Sequence, residues 1–308
     1  MQEAIWVAGH RGMVGSAIVR NLEAQGRRVL TVDRKDLDLR NQKAVETWMQ
    51  QHQPSSVIFA AAKVGGILAN DTLPADFLYD NLCIQTNTIN AAHLAGVNRF
   101  VFLGSSCIYP KFAEQPIKES SLLTGPLEPT NEWYAIAKIA GIKLCQAYMK
   151  QYGRQYVSVM PCNLYGPGDN FDLKSSHVMP ALIRKILAAK EQDLPDVEVW
   201  GTGTPLREFL HVDDMAAGAV HCHDNYFDFE HINCGSEKEV TIRGLAETIA
   251  EAVGYEGGIV FDSSKPDGTP RKVMDSSRLR AQGWEPKIEL LDGIRTTIDW
   301  FTKTYPKG

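Results

Sequence analysis

Residues 4–24 read AIWVAGHRGMVGSAIVRNLEA. An apolar run, Ala4–Ala8, leads into Gly9-His-Arg-Gly12-Met-Val-Gly15, and from about Val14 to Gln25 the apolar residues recur at helical spacing. A strand that passes through glycines into a helix aims that helix's free N–H groups and positive end at whatever lies in front of the turn. The small residues let a pyrophosphate approach the backbone. An ordinary tight turn would use the same glycines, so the weight of the motif depends on what surrounds it.

What surrounds it alternates. Val29–Val32, Val57–Ala62, Phe100–Leu103 and Tyr156–Met160 are further short apolar runs, and Gln42–Gln51, about Asp76–Ala95 and Tyr134–Tyr152 are helical in pattern. Strand and helix in turn, the strands without polar alternation, predict an α/β fold. The expected core is a doubly wound, parallel, Rossmann-type sheet covered on both faces. After Pro161 the rhythm breaks at NLYGPGDN (163–170), and shorter elements follow: helices near Val178–Ala189, Ile242–Val253 and Leu290–Thr302, and a strand at Val197–Trp200. The expected organisation is a dinucleotide-binding domain over 1–165 and a smaller C-terminal substrate-binding domain over 166–308, with 208–235 returning to the first.

Charge and cysteine usage narrow the function. The 308 residues carry 32 Lys+Arg against 37 Asp+Glu, a net charge of −5 with no basic run, which speaks against a nucleic-acid partner. MQEAIWVAGH at the start has no basic leader region, and no apolar segment approaches membrane-spanning length. Cys83, Cys107, Cys145, Cys162, Cys222 and Cys234 form no CxxC pair and read as free thiols in a reducing cytoplasm. HCHDNYFDFEH (221–231) is dense in metal-capable side chains, with His221 and Asp224 one turn apart, but no second cluster completes a tetrahedral site, so no metal is expected. Asp213 and Asp214 read as a helix N-cap and a first-turn charge.

The second strand ends in Asp33-Arg34. An acid there suits the ribose 2′-OH of NAD, whereas a neighbouring arginine suits the 2′-phosphate of NADP; Arg11 and Arg34 together favour NADP. Tyr134 and Lys138, four residues apart on one helical face, are both preceded by serines at the end of the fourth strand. A phenol with a pKa near ~10 needs help to work near neutrality, and an adjacent ammonium supplies it. Dinucleotide turn, serine and Tyr/Lys pair together describe hydride transfer to a carbonyl whose oxygen serine and tyrosine hold.

These residues, with AAKVGGI (61–67), LGSSCIYP (103–110), EPTNEWYAIAKIAG (128–141), PCNLYGPGDNF (161–171), SHVMPALIRK (176–185), REFLHVDDMA (207–216) and KPDGTPRK (265–272), resemble the extended short-chain dehydrogenase/reductase family nearly end to end. The closest likeness is to its epimerase/reductases of nucleotide sugars. The resemblance implies NADPH-dependent conversion of GDP-4-keto-6-deoxy-D-mannose to GDP-L-fucose, by inversion at C3 and C5 and then reduction at C4. It makes Cys107 and His177 the acid–base pair of the inversions, and Ser105, Tyr134 and Lys138 the reductive set. Ser105 is preferred to Ser106 because it stands four residues before Tyr109, and strand alternation would turn its neighbour the other way.

For NADP the implied contacts are Gly9, His10, Arg11, Gly12, Met13, Val14, Gly15, Arg34, Leu103, Gly104, Ser105, Ser106, Lys138, Pro161, Cys162, Asn163, Leu164 and His177. For the GDP-sugar they are Lys185, Trp200, Arg207 and Asp267. A homodimer pairing the helices near 76–95 and 134–152 is implied as well. Two alternatives stay open: another nucleotide-sugar 4-epimerase or reductase, which needs no Cys/His pair, and a non-catalytic NADP-sensing regulator, in which tyrosine or lysine is often lost.

Overall fold

Apolar residues buried on both faces decide the centre of the molecule. The computed structural model describes residues 3–172, 175–265 and 267–306, without the side chains of residues 67 and 68. Pro266 of the KPDGTPRK motif lies outside the described residues. In chain order the first half runs β1 (Ala4–Ala8), α1 (Met13–Ala24), β2 (Arg28–Leu30), α2 (Gln42–His52), β3 (Ser56–Phe59), α3 (Ile67–Thr72), α4 (Pro74–Leu94), β4 (Arg99–Leu103), α5 (Glu132–Tyr152) and β5 (Gln155–Pro161). The second half runs β6 (Asn163–Tyr165), α6 (Val178–Glu191), β7 (Asp196–Trp200), β8 (Leu206–His211), α7 (Val212–Asn225), β9 (Ile232–Cys234), β10 (Glu239–Thr241), α8 (Ile242–Val253), β11 (Gly258–Asp262), β12 (Arg271–Lys272), α9 (Ser277–Ala281) and α10 (Leu290–Thr304).

A six-stranded parallel sheet has the order β2-β1-β3-β4-β5-β9. Every residue of β1, β3 and β4 is buried, so these strands need helices on both faces. α4 and α5 pack together on one side, while α1 and α7 pack on the other. Local chemistry sets the ends of the helices. Asn41 caps α2 through the Ala44 N–H, Thr241 caps α8 through Gly244, and Gly153 and Gly254 take left-handed backbone after α5 and α8.

A second set of strands lies beyond β5. β8 pairs antiparallel with β10 and parallel with β12 and β6, and β7 pairs with β11. A second apolar core, with Ile183, Ile186, Leu245, Ile249 and Ile294 fully buried, holds α6, α8 and α10 together.

One local expectation is corrected. The N-cap of α7 is His211, whose Nδ1 accepts from the Asp213 N–H at 3.2 Å; Asp213 pairs with Arg20, and the buried Asp214 accepts from the Lys287 and Ile288 N–H groups. In HCHDNYFDFEH, Asp224 is held by Arg27 and His223. Among the described residues no group of three or more His, Cys, Asp or Glu is placed to hold a metal, and no helix is long and apolar enough to cross a membrane.

Candidate active site

From β1 the chain crosses to β2 on one side, and β3 joins the other side. That reversal of strand order opens a crevice at the carboxyl ends of the strands. The resulting cavity, of about 1950 Å³, continues to the second set of strands. All the residues expected to bind cofactor or substrate, or to carry catalysis, line it.

At its sheet end the cavity is main chain. Gly9 has φ +86°, and a Cβ there would stand 2.7 Å from the Ala61 nitrogen. A Cβ on Gly15 would stand 2.1 Å from the Gly9 oxygen, so helix and turn touch backbone to backbone. A Cβ on Gly12 would meet only the Gly9 oxygen, at 3.4 Å, and so would project into the cradle itself. α1 has no capping side chain and no acid in its first turn, which leaves its N–H groups unspent. This is a cradle fitted to a pyrophosphate. Asp33 is engaged by Arg11 and by His10 (3.3 Å), whereas Arg34 lines the cavity. The acid that would have argued for a bare ribose is therefore already paired within the protein.

At the end of β4 the strand stops at Leu103, and Ser106–Ile108 form a single 3-10 turn. Ser105 caps this turn, its Oγ accepting from the Cys107 N–H at 3.2 Å. Ser105, still extended (φ −163°, ψ 149°), and Ser106, the first residue of the turn, both line the cavity. Tyr109 closes the segment, its buried hydroxyl donating to Asn233 of β9.

α5 brings Tyr134 and Lys138 alongside. Burial raises the Tyr134 phenol above its ordinary range, the nearby Cys107 sulfur adds to this, and a hydrogen bond with Ser105 opposes both. Lys138 is buried, with Nζ 5.7 Å from the centre of the Tyr134 ring and donating to the Leu103 carbonyl at 2.8 Å. Burial pulls its ammonium down to about 7. Within the protein alone, the burial of each group opposes its charged form.

His177 stands at the N-cap of α6 without a side-chain cap bond. Its ring keeps contact with solvent, but the cavity walls crowd it, and the lost hydration holds the imidazole below its ordinary value. Farther along, Arg207 is pushed down by burial, with Asp267 opposing. Asp267 accepts from both the N–H and the hydroxyl of Thr202, which pins the Gly201–Gly203 loop. Trp200 is 64% exposed, with the Lys185 and Lys265 ammoniums 5.6 and 5.7 Å from its ring centre. Pro161, Cys162, Asn163 and Leu164 form the floor, and the Asn163 side chain donates to the Glu208 carbonyl of β8.

Two cavity residues were missed. Asn131, three residues before Tyr134, donates Nδ2 to the Cys107 sulfur at 3.4 Å. Asp169 is buried with one carboxylate oxygen unpartnered, and burial raises it to about 7. Both sit inside motifs already noted, EPTNEWY and GPGDN, but each also reads as an ordinary cap or turn residue.

The arrangement of glycine cradle, switch-point crevice and Ser/Tyr/Lys set meets its relatives here. The model of the NAD dependent epimerase/dehydratase family matches residues 5–235. The chain belongs to that family. Over 297 residues, 96% of this chain and 95% of the relative, it is 57% identical to a GDP-L-fucose synthase of Sinorhizobium fredii. It is 60% identical to GDP-L-fucose synthase 1 of Arabidopsis thaliana over 97% of this chain and 93% of that one. A solved GDP-L-fucose synthetase from Naegleria fowleri bound to NADP superposes with a TM-score of 0.90 at 31% identity, covering 99% of this chain and 96% of that chain. As a member of the epimerase/dehydratase family, the protein is an enzyme built around a nicotinamide dinucleotide.

Proposed function

We propose that the enzyme converts GDP-4-keto-6-deoxy-D-mannose to GDP-L-fucose with NADPH. The observation that carries this reading is the position of Cys107, which shares one cavity with Ser105, Tyr134 and His177. A plain keto-sugar reductase needs a proton donor for the carbonyl oxygen and has no use for a thiol and an imidazole beside it.

NADPH, when bound, supplies the hydride that reduces C4. The glycine cradle would hold its pyrophosphate, Arg34 with Arg11 its 2′-phosphate, and Pro161–Leu164 would face its nicotinamide. Arg207, Lys185 and Trp200 hold the diphosphate and guanine of the substrate, since a planar guanidinium suits phosphate oxygens and an open indole suits a base.

The protein's own groups then move the protons. As a thiolate, Cys107 takes a proton from the carbon beside the carbonyl, and the C–H electron pair passes to the carbonyl oxygen held by Ser105 and Tyr134. His177, as imidazolium, returns a proton to the opposite face. The carbon is inverted, leaving a thiol and a neutral imidazole, and exchange with water resets both before the second inversion. At reduction Tyr134 gives its phenolic proton to O4, with Lys138 steadying the charge left behind.

The reading divides the chain into a cofactor half, 1–165 with 208–235, and a GDP-sugar half, 166–308. It also includes a cytoplasmic homodimer paired through α4 and α5. The deciding experiment is deuterium incorporation at C3 and C5 in heavy water. Cys107→Ser should lower it by about 10²–10⁴-fold with NADPH binding unchanged; undiminished incorporation removes Cys107 from the chemistry.

A further inference from the structure

Asn131 is placed where asparagine normally serves a helix. It occupies the N-cap position of α5, and asparagine there ordinarily accepts a hydrogen bond from the first turn. It makes no such bond. Its side chain turns into the cavity instead: Nδ2 donates to the Cys107 sulfur at 3.4 Å, and Oδ1 is buried with no partner. Asn131 ends a 3-10 turn, Pro129–Asn131, that runs straight into α5, so its side chain is free of capping and leaves one buried acceptor unmet.

The surroundings give the side chain a direction. Ser105 already holds the Cys107 backbone through its N–H, so Asn131 fixes the remaining freedom, that of the sulfur.

We propose that Asn131 is a positioning residue for the inversions: its side-chain N–H holds the Cys107 sulfur where it meets the acidic C–H of the keto-sugar. The proton passes from carbon to sulfur and the electron pair to the carbonyl oxygen, while Asn131 keeps all its own protons. The inference rests on the reading of Cys107 as the base.

The test measures deuterium incorporation at C3 and C5 with oxidised NADP bound, where no hydride can be delivered, together with the affinities for GDP and for the GDP-keto-sugar. Asn131→Ala should lower incorporation by about 10–100-fold, with keto-sugar, GDP and NADP affinities within about twofold. Asn131→Asp sets a negative oxygen beside the sulfur. It should hold the keto-sugar within about twofold and yet incorporate more slowly than the alanine variant.

Incorporation by Asn131→Ala within about twofold of the unaltered enzyme overturns the proposal, as does faster incorporation by Asn131→Asp than by Asn131→Ala. Loss of GDP affinity in both variants overturns it too, since that marks a residue that only supports the fold. Cys107→Ser separates the two levels. If it incorporates normally, the reading of the base fails; if it is inactive while Asn131→Ala is normal, only the role of Asn131 fails.

Discussion

The end of the cavity where β1 meets α1 is made of main chain, whereas the end toward the second set of strands is made of side chains from several elements. In the first, Gly9 and Gly15 bring two stretches of backbone into contact, and the donors are peptide N–H groups. In the second, Ser105 and Cys107 come from the segment after β4, Asn131 and Tyr134 from the start of α5, His177 from the N-cap of α6 and Arg207 from β8. A site made of backbone fails through added atoms, because there is no room for them. A site made of side chains fails through removed atoms, and the fold survives.

That contrast can be broken in order of expected effect. Gly15→Ala should be the most damaging change, since its Cβ would lie 2.1 Å from the Gly9 oxygen. Soluble yield and melting temperature should both fall, and NADPH fluorescence enhancement should vanish. Gly12→Ala sharpens the point: with only the Gly9 oxygen at 3.4 Å in its way it should fold normally and still lose NADPH, because the added methyl fills the cradle. Tyr134→Phe should lower NADPH oxidation by about 10²–10⁴-fold at an unchanged melting temperature. A normally folded but dead Gly15→Ala, or an unfolded Tyr134→Phe, would erase the distinction.

Arg34→Ala lies between the two kinds of site, a side chain at the backbone end. It should cost about 10–100-fold in NADPH affinity and leave NADH affinity within about twofold. The smallest effect is expected at Asp169, raised by burial to about 7. Its folded pKa exceeds its unfolded one, so its contribution to stability is full at low pH and is lost as pH rises through about 7. Asp169→Asn should therefore melt about 2–5 °C higher than the unaltered enzyme at pH 8, with no gain at pH 4, by calorimetry.

The same contrast explains what could be read from the sequence. Strands buried on both faces announce themselves as apolar runs, and β1, β3, β4 and β5 were placed from them; β2, only part-buried, was found from the run Val29–Val32 but stops at Leu30. The boundaries moved where apolar residues serve another purpose. Ala60–Ala62 were read as strand, but β3 ends at Phe59 and these alanines line the cavity. β9 is three residues long and β12 two, too short to leave a periodic trace. The glycine turn was legible because all its parts are contiguous. Cys107 and His177 gained meaning only through resemblance, since a lone thiol and a lone imidazole each have commoner fates. Asn131 stayed hidden because its place before a helix already accounted for it.

β5 ends at Pro161 and β6 begins at Asn163, so a single residue, Cys162, carries the chain from the large sheet into the small one. A strand advances about 3.3 Å per residue, so the two sheets are joined over two such steps of covalent backbone rather than by a loop, as two marks are fixed on one ruler.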